Sequence, residues 1–81
     1  MGLTYDVRKL PAALKKAAVL SAFDGLYPGQ SCVVICDFDT SRLESQFKAF
    51  FDDEHSWVCL QSGPPHWHIQ IGKRATDTQR S

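Results

Sequence analysis

Asp6-Val7-Arg8-Lys9-Leu10-Pro11 is the stretch on which the reading of this chain turns. A polar strand end runs into a proline suited to the first position of a helix, where its missing N–H is no loss. Leu3 to Val7 reads as a short strand, and Leu10 to Asp24 reads as a helix stopped by Gly25. A strand passing directly into a helix is the opening of a βαβ unit. The helix start would present unpaired N–H groups beyond the end of the strand. Leu10 carries no side-chain oxygen with which to cap them.

Working outward, Leu10, Leu14, Ala17, Leu20 and Ser21 form the expected inward stripe of this helix, with Phe23 and Leu26 closing its end. Tyr27-Pro28-Gly29-Gln30 is a turn. Ser31 to Asp37 is β-branched and apolar, as in a central strand. Ser41 followed by Glu44 predicts a capping box for a second helix reaching about Phe51, with Leu43, Phe47 and Phe50 as its stripe. Asp52-Asp53-Glu54 reads as an acidic turn. Ser56 to Gln61 and His66 to Gly72 read as a hairpin around Ser62-Gly63-Pro64-Pro65. The order β-α-β-α-β-β predicts an α+β fold. It is a two-layer α/β sandwich, with a four-stranded mixed sheet and both helices on one face. The first two strands are expected to be parallel, joined by a right-handed crossover.

The chain has 81 residues, 43% of them hydrophobic and 22% charged. This composition matches a single globular domain and argues against disorder. The domain is expected over residues 1–73, followed by a polar, flexible tail over 74–81. At this size only about 60–65% of the unfolded surface is buried, which disfavours a deep enclosed site. No apolar run approaches the roughly 20 residues of a membrane span, and the first residues lack a signal-peptide pattern. The expected location is cytoplasmic, with no membrane contact. Three cysteines without framework spacing read as free thiols of a reducing compartment.

The formal net charge of +0 is unevenly spread. Arg8, Lys9, Lys15 and Lys16 outnumber Asp6 at the start. Asp37, Asp39, Glu44, Asp52, Asp53 and Glu54 outnumber Arg42 and Lys48 in the middle. The basic group is too small for a nucleic-acid surface, so no nucleic-acid partner is expected.

Three candidate sites follow. The first is an anion site at the first helix's start, with Arg8, Lys9, Leu10 and Pro11 and with Lys15 or Lys16 folding back, facing Asp37 and Asp39 at the end of the second strand. Its structural alternative is that Arg8 pairs with Asp6, Asp37 or Asp39. Asp39 could equally cap the second helix. The second is the open face of the sheet. With Trp67, Ile69 and Ile71 toward the helices, and Val58 matched to Ile69, Cys59 falls opposite His68 and Gln61 opposite His66. If Val33 and Ile35 face the core, then Cys32, Val34 and Cys36 share the open face. That area is expected to meet a protein partner or a second copy of the chain. The third is metal binding by Cys59, His66 and His68, which lack zinc-knuckle spacing. No metal, cofactor or catalytic residue is assigned, and the chain is read as more consistent with a binding domain than an enzyme.

Several motifs recur in order without gaps: Asp6-x-Arg8-x-Leu10-Pro11, Phe23-Asp24-x-Leu26-x-Pro28-Gly29, Asp37-x-Asp39, Gln46-Phe47, Ser56-Trp57, Gly63-Pro64 and Trp67-x-Ile69-x-Ile71. Together they resemble the bacterial domain-of-unknown-function family 2249, itself similar to the TusA/SirA-like sulfur carriers. Members of the family often occur beside hemerythrin-like domains or in bacteria that handle nitrogen oxides. The resemblance implies the same β-α-β-α-β-β fold. In the sulfur carriers a C-P-x-P motif puts a thiolate at the start of the first helix, where the dipole lowers its pKa. Leu10-Pro11-Ala12-Ala13 keeps the proline and lacks the thiol. Lys16 and Phe38 stand where the family pattern has histidines. The resemblance therefore implies a small binding or partner-docking domain on a sulfur-carrier scaffold. Sulfur or redox transfer through Cys36 or Cys59 is the alternative, and Cys/His metal binding a third.

Overall fold

A computed structural model describes residues 3–74. The elements are β1 (Leu3–Asp6), α1 (Ala12–Asp24), β2 (Ser31–Cys36), α2 (Ser41–Phe51), a 3-10 turn (Asp52–Glu54), β3 (His55–Gln61) and β4 (Trp67–Lys73). They form one four-stranded mixed sheet of order β1-β2-β4-β3. β1 and β2 are parallel, while β4 runs antiparallel to both β2 and β3. α1 packs on β2 and β4, and α2 on β3. Thus the fold is the α+β sandwich that the element order implies. Of the expected polar tail, residues 75–81 lie outside the described residues. Arg74 itself donates its N–H to the Glu54 carbonyl at 2.9 Å.

The core lies between the helices and one face of the sheet. It comprises Val7, Val19, Phe23, Leu26, Cys32, Val34, Cys36, Leu43, Phe47, Ile69 and Ile71. Three expectations about facing are corrected here. β2 turns Cys32, Val34 and Cys36 inward and leaves Val33 and Ile35 half-buried on the open face. α1 buries Val19 and Phe23, while Leu10 and Leu14 are exposed. α2 buries Leu43 and Phe47 and packs Phe51 beside them; Phe50 is 67% exposed. The spacing of Leu43, Phe47 and Phe51 is a straight i, i+4 ridge, which meets the sheet more directly than one passing through Phe50.

The hairpin register is also corrected. Val58 pairs with Gln70, Cys59 with Ile69 and Gln61 with His68, with an irregularity between Cys59 and Gln61. An extra residue on one strand changes which face every later side chain meets. Trp57, which precedes the irregularity, pairs with the buried Ile71 and so turns toward the helices, its ring 5.2 Å from that of Phe47. Phe23, Phe47 and Phe51 complete this aromatic cluster, with ring centroids 4.4 to 5.3 Å apart. Lys73 seals its edge: Nζ lies 5.1 Å from the Phe23 ring centroid and donates to the Asp24 carbonyl at 3.2 Å, at the carbonyl end of α1.

Candidate functional site

β1 and β2 both end at the edge of the sheet where α1 and α2 begin, because parallel strands deliver their following segments to the same side. A groove of about 610 Å³ opens there between the two helix starts. Ala12, Lys15 and Lys16 of α1 line one side. Asp37, Phe38 and Asp39 of the β2–α2 loop, with Ser41 and Arg42 of α2, line the other.

Each helix start has a distinct local cause. Pro11 precedes α1 as its N-cap, with ψ of 146°, one position earlier than expected. No side chain caps this turn, and the Leu14 N–H donates to the Pro11 carbonyl at 2.8 Å. At α2, the predicted Ser41–Glu44 capping box does not form. Instead Thr40 is the N-cap, and the Glu44 N–H reaches its carbonyl at 2.8 Å. Asp39 supplies the side-chain support. Its Oδ1 accepts the Ser41 backbone N–H at 2.9 Å and the Ser41 hydroxyl. These bonds hold the Asp39 carboxyl below its usual range.

The expected site residues divide into two groups. Lys16, Asp37 and Asp39 line the groove, but Arg8, Lys9, Leu10 and Pro11 lie outside it. Asp37 accepts Lys15 Nζ at 2.6 Å, and that bond holds its carboxyl low. Arg8 turns back to Asp6, donating Nε and Nη2 at 2.9 and 2.6 Å and its backbone N–H at 3.0 Å. This is the structural pairing that the sequence left as an alternative. The bidentate bond holds Asp6 well below the usual carboxylate range and raises the Arg8 guanidinium.

Ser41 and Arg42 are groove residues that sequence reasoning did not assign, while Lys15, expected beside Lys16 at the helix start, does line the groove. Arg42 could have been found from its place in the first turn of α2, beside the edge where α1 starts. His66 also belongs to this edge, its Nε2 3.3 Å from Arg8 Nη1. The signal for it was its place at the start of the last strand, opposite the end of β2.

The thiols and imidazoles do not converge. Cys59 pairs with Ile69, so it projects to the face opposite that of His68. Among the described residues no group of three or more His, Cys, Asp or Glu is placed to hold a metal ion. Cys32 and Cys36 are buried in the core, not on the open face, and only Cys59 of the three free thiols is exposed. Burial, reinforced by the neighbouring Asp37 charge, pushes the Cys36 thiol up to about 11. A buried, protonated thiol is poorly suited to carry sulfur. No described helix is long and apolar enough to cross a membrane.

Comparison with curated proteins gives no match, and neither does comparison with solved structures. A family match does cover residues 4–73, which include both helix starts, the groove and all of the sheet but Leu3. The chain accordingly belongs to the family described as uncharacterized conserved protein, DUF2249.

Proposed function

We propose that the chain is a small non-enzymatic binding domain whose groove between the two helix starts takes a small anion. The observation that carries this reading is the pair Lys16 and Arg42. Both line the groove, and neither makes an ion pair or side-chain hydrogen bond among the described residues. Asp37 and Asp39 are each engaged by a neighbour and held in the carboxylate form, so neither is poised to donate a proton near neutral pH. On this reading the scaffold is that of a sulfur carrier kept for binding alone. What supports it is the β-α-β-α-β-β order that the resemblance implies, with Leu10 before Pro11 where a carrier thiol would stand.

Titrating sulfate into isotope-labelled protein tests the reading. Amide shifts are expected at Lys16, Phe38, Ser41 and Arg42, and the Lys16→Ala/Arg42→Ala double variant is expected to bind at least about tenfold more weakly. Shifts scattered over the surface, or a double variant that binds as well as wild type, would sink it.

The sulfur-transfer alternative now rests on Cys59. It lies on the edge strand β3, on the far side of the sheet from β1. Native alkylation is expected to label Cys59 rapidly, and Cys32 and Cys36 only after unfolding. Fast labelling of Cys36, with persulfide transfer to it, would revive the alternative.

A second reading assigns the open sheet face to a protein partner or a second copy. It is favoured by Val58, 48% exposed on the same face as the half-buried Val33, with Gln70 of β4 between them. Sedimentation checks the second-copy version: a Val58→Glu variant should dissociate a dimer, and a wild-type monomer at about 100 μM rules that version out.

A further inference from the structure

His66 stands where three charged segments meet. In the β2–β4 ladder Ile35 pairs with His68 and Cys36 with Trp67. One more antiparallel step sets Asp37 opposite His66. On its other side, Arg8 Nη1 lies 3.3 Å from His66 Nε2. A guanidinium has donors only, so Nε2 is the acceptor. The imidazole in this arrangement is neutral, with its proton on Nδ1. The Arg8 guanidinium is held by two bonds to Asp6 and cannot retreat without breaking them.

The ionisable groups around the ring are therefore Arg8 from the β1–α1 turn, with Asp6 behind it, and Asp37 from the end of β2, with Lys15 of α1 behind it. From β3, Gln61 and Cys59 pair with His68 and Ile69 instead.

We infer that His66 is a proton-operated latch on the groove, exchanging its bond from Arg8 for an interaction with Asp37 and so loosening the Lys15–Asp37 bridge. A proton taken from solvent by Nε2 occupies the lone pair that Arg8 uses. Two cations then face each other, and Asp37 is the nearby carboxylate not already paired with Arg8. Once Asp37 is shared between His66 and Lys15, the Lys15 ammonium is freer to meet an anion between the helix starts. This inference rests on the anion-binding reading of the groove for its consequence, though not for the proton coupling itself.

The test uses the whole chain, labelled with nitrogen-15 and carbon-13. At about pH 8, long-range proton–nitrogen spectra are expected to show the Nδ1–H tautomer at His66. As pH falls to about 5, the Asp37 carboxyl carbon is expected to inflect at the His66 midpoint. Sulfate keeps its double charge over this range and is expected to bind roughly two- to fivefold tighter at the lower pH. His66→Asn should remove both the Asp37 inflection and the pH dependence of sulfate binding. An Nε2–H tautomer at about pH 8, or an Asp37 carboxyl indifferent to His66, overturns the latch. Sulfate affinity unchanged between the two pH values also overturns it and leaves the groove reading standing. Sulfate that never binds, with Asp37 still following His66, overturns the groove reading and leaves the proton coupling intact.

Discussion

The aromatic cluster and the charged edge both draw on α1 but are built in opposite ways. Phe23 of α1, Phe47 and Phe51 of α2, and Trp57 of β3 interlock through ring contacts, buried or nearly so. At the charged edge, Asp6, Arg8, Lys15, Asp37 and Asp39 are bound by polar contacts at the surface, and the side chains of the Arg8–Asp6 pair remain about one-third exposed. Burying apolar surface stabilises in proportion to area. Exposed ion pairs contribute little because water screens them and ordering their side chains costs entropy. The difference teaches that stability in this domain sits in the aromatic cluster, leaving the charged edge free to respond to ligands and protons.

The sharpest way to break that contrast is Phe47→Ala. Phe47 is fully buried and touches three other aromatic rings of the cluster, so the variant should lose about 3–5 kcal/mol of stability in urea melts. A loss below about 1 kcal/mol would place the stability elsewhere. Next is Gly63→Ala. A Cβ there would lie 2.8 Å from ring carbons of Trp67, so a cost of about 1–3 kcal/mol is expected from overpacking. A cost near zero would show that the indole moves aside freely.

The charged edge should respond to acid. Asp6, Asp37 and Asp39 all hold their protons less tightly in the folded chain than when unfolded. Their stabilisation is therefore complete above the unfolded carboxylate range near about pH 4, and lost as pH falls through the lower folded values. The urea midpoint should drop below about pH 4, and Asp6→Asn should flatten that drop. An acid profile identical in Asp6→Asn and wild type would remove Asp6 from the account. The smallest stability effect is expected for Lys16→Ala and Arg42→Ala, each within about 0.5 kcal/mol of wild type even as sulfate binding falls. A larger loss would mean that the groove cations hold the fold together.

Legibility followed the chemistry of individual residues. Pro11, Gly25, Pro28-Gly29 and Gly63-Pro64 punctuate the chain, so the element order could be read directly. The facing of β2 could not, because Cys32-Val33-Val34-Ile35-Cys36 is apolar at both parities and offers no alternation to choose a face. α1 was misread for a similar reason. Alanines and leucines surround it, and only contact with β2 and β4 selects Val19 and Phe23 as its buried ridge. Lys16, Asp37 and Asp39 could be placed at the candidate site by topology alone. Arg42 needed the actual approach of α2 to α1.

By itself the sequence determined the number, type and order of the elements and the chemical inventory at the sheet edge where both helices begin. Turn residues and local periodicity act over a few positions and carry that information within the chain. The tertiary structure alone decided which side of β2 and β3 meets the helices, that the cysteines of β2 are core, and that Lys16 and Arg42 share a groove. Those outcomes depend on strand register and on helix-to-sheet packing, which join residues far apart in sequence through contacts that no local pattern records.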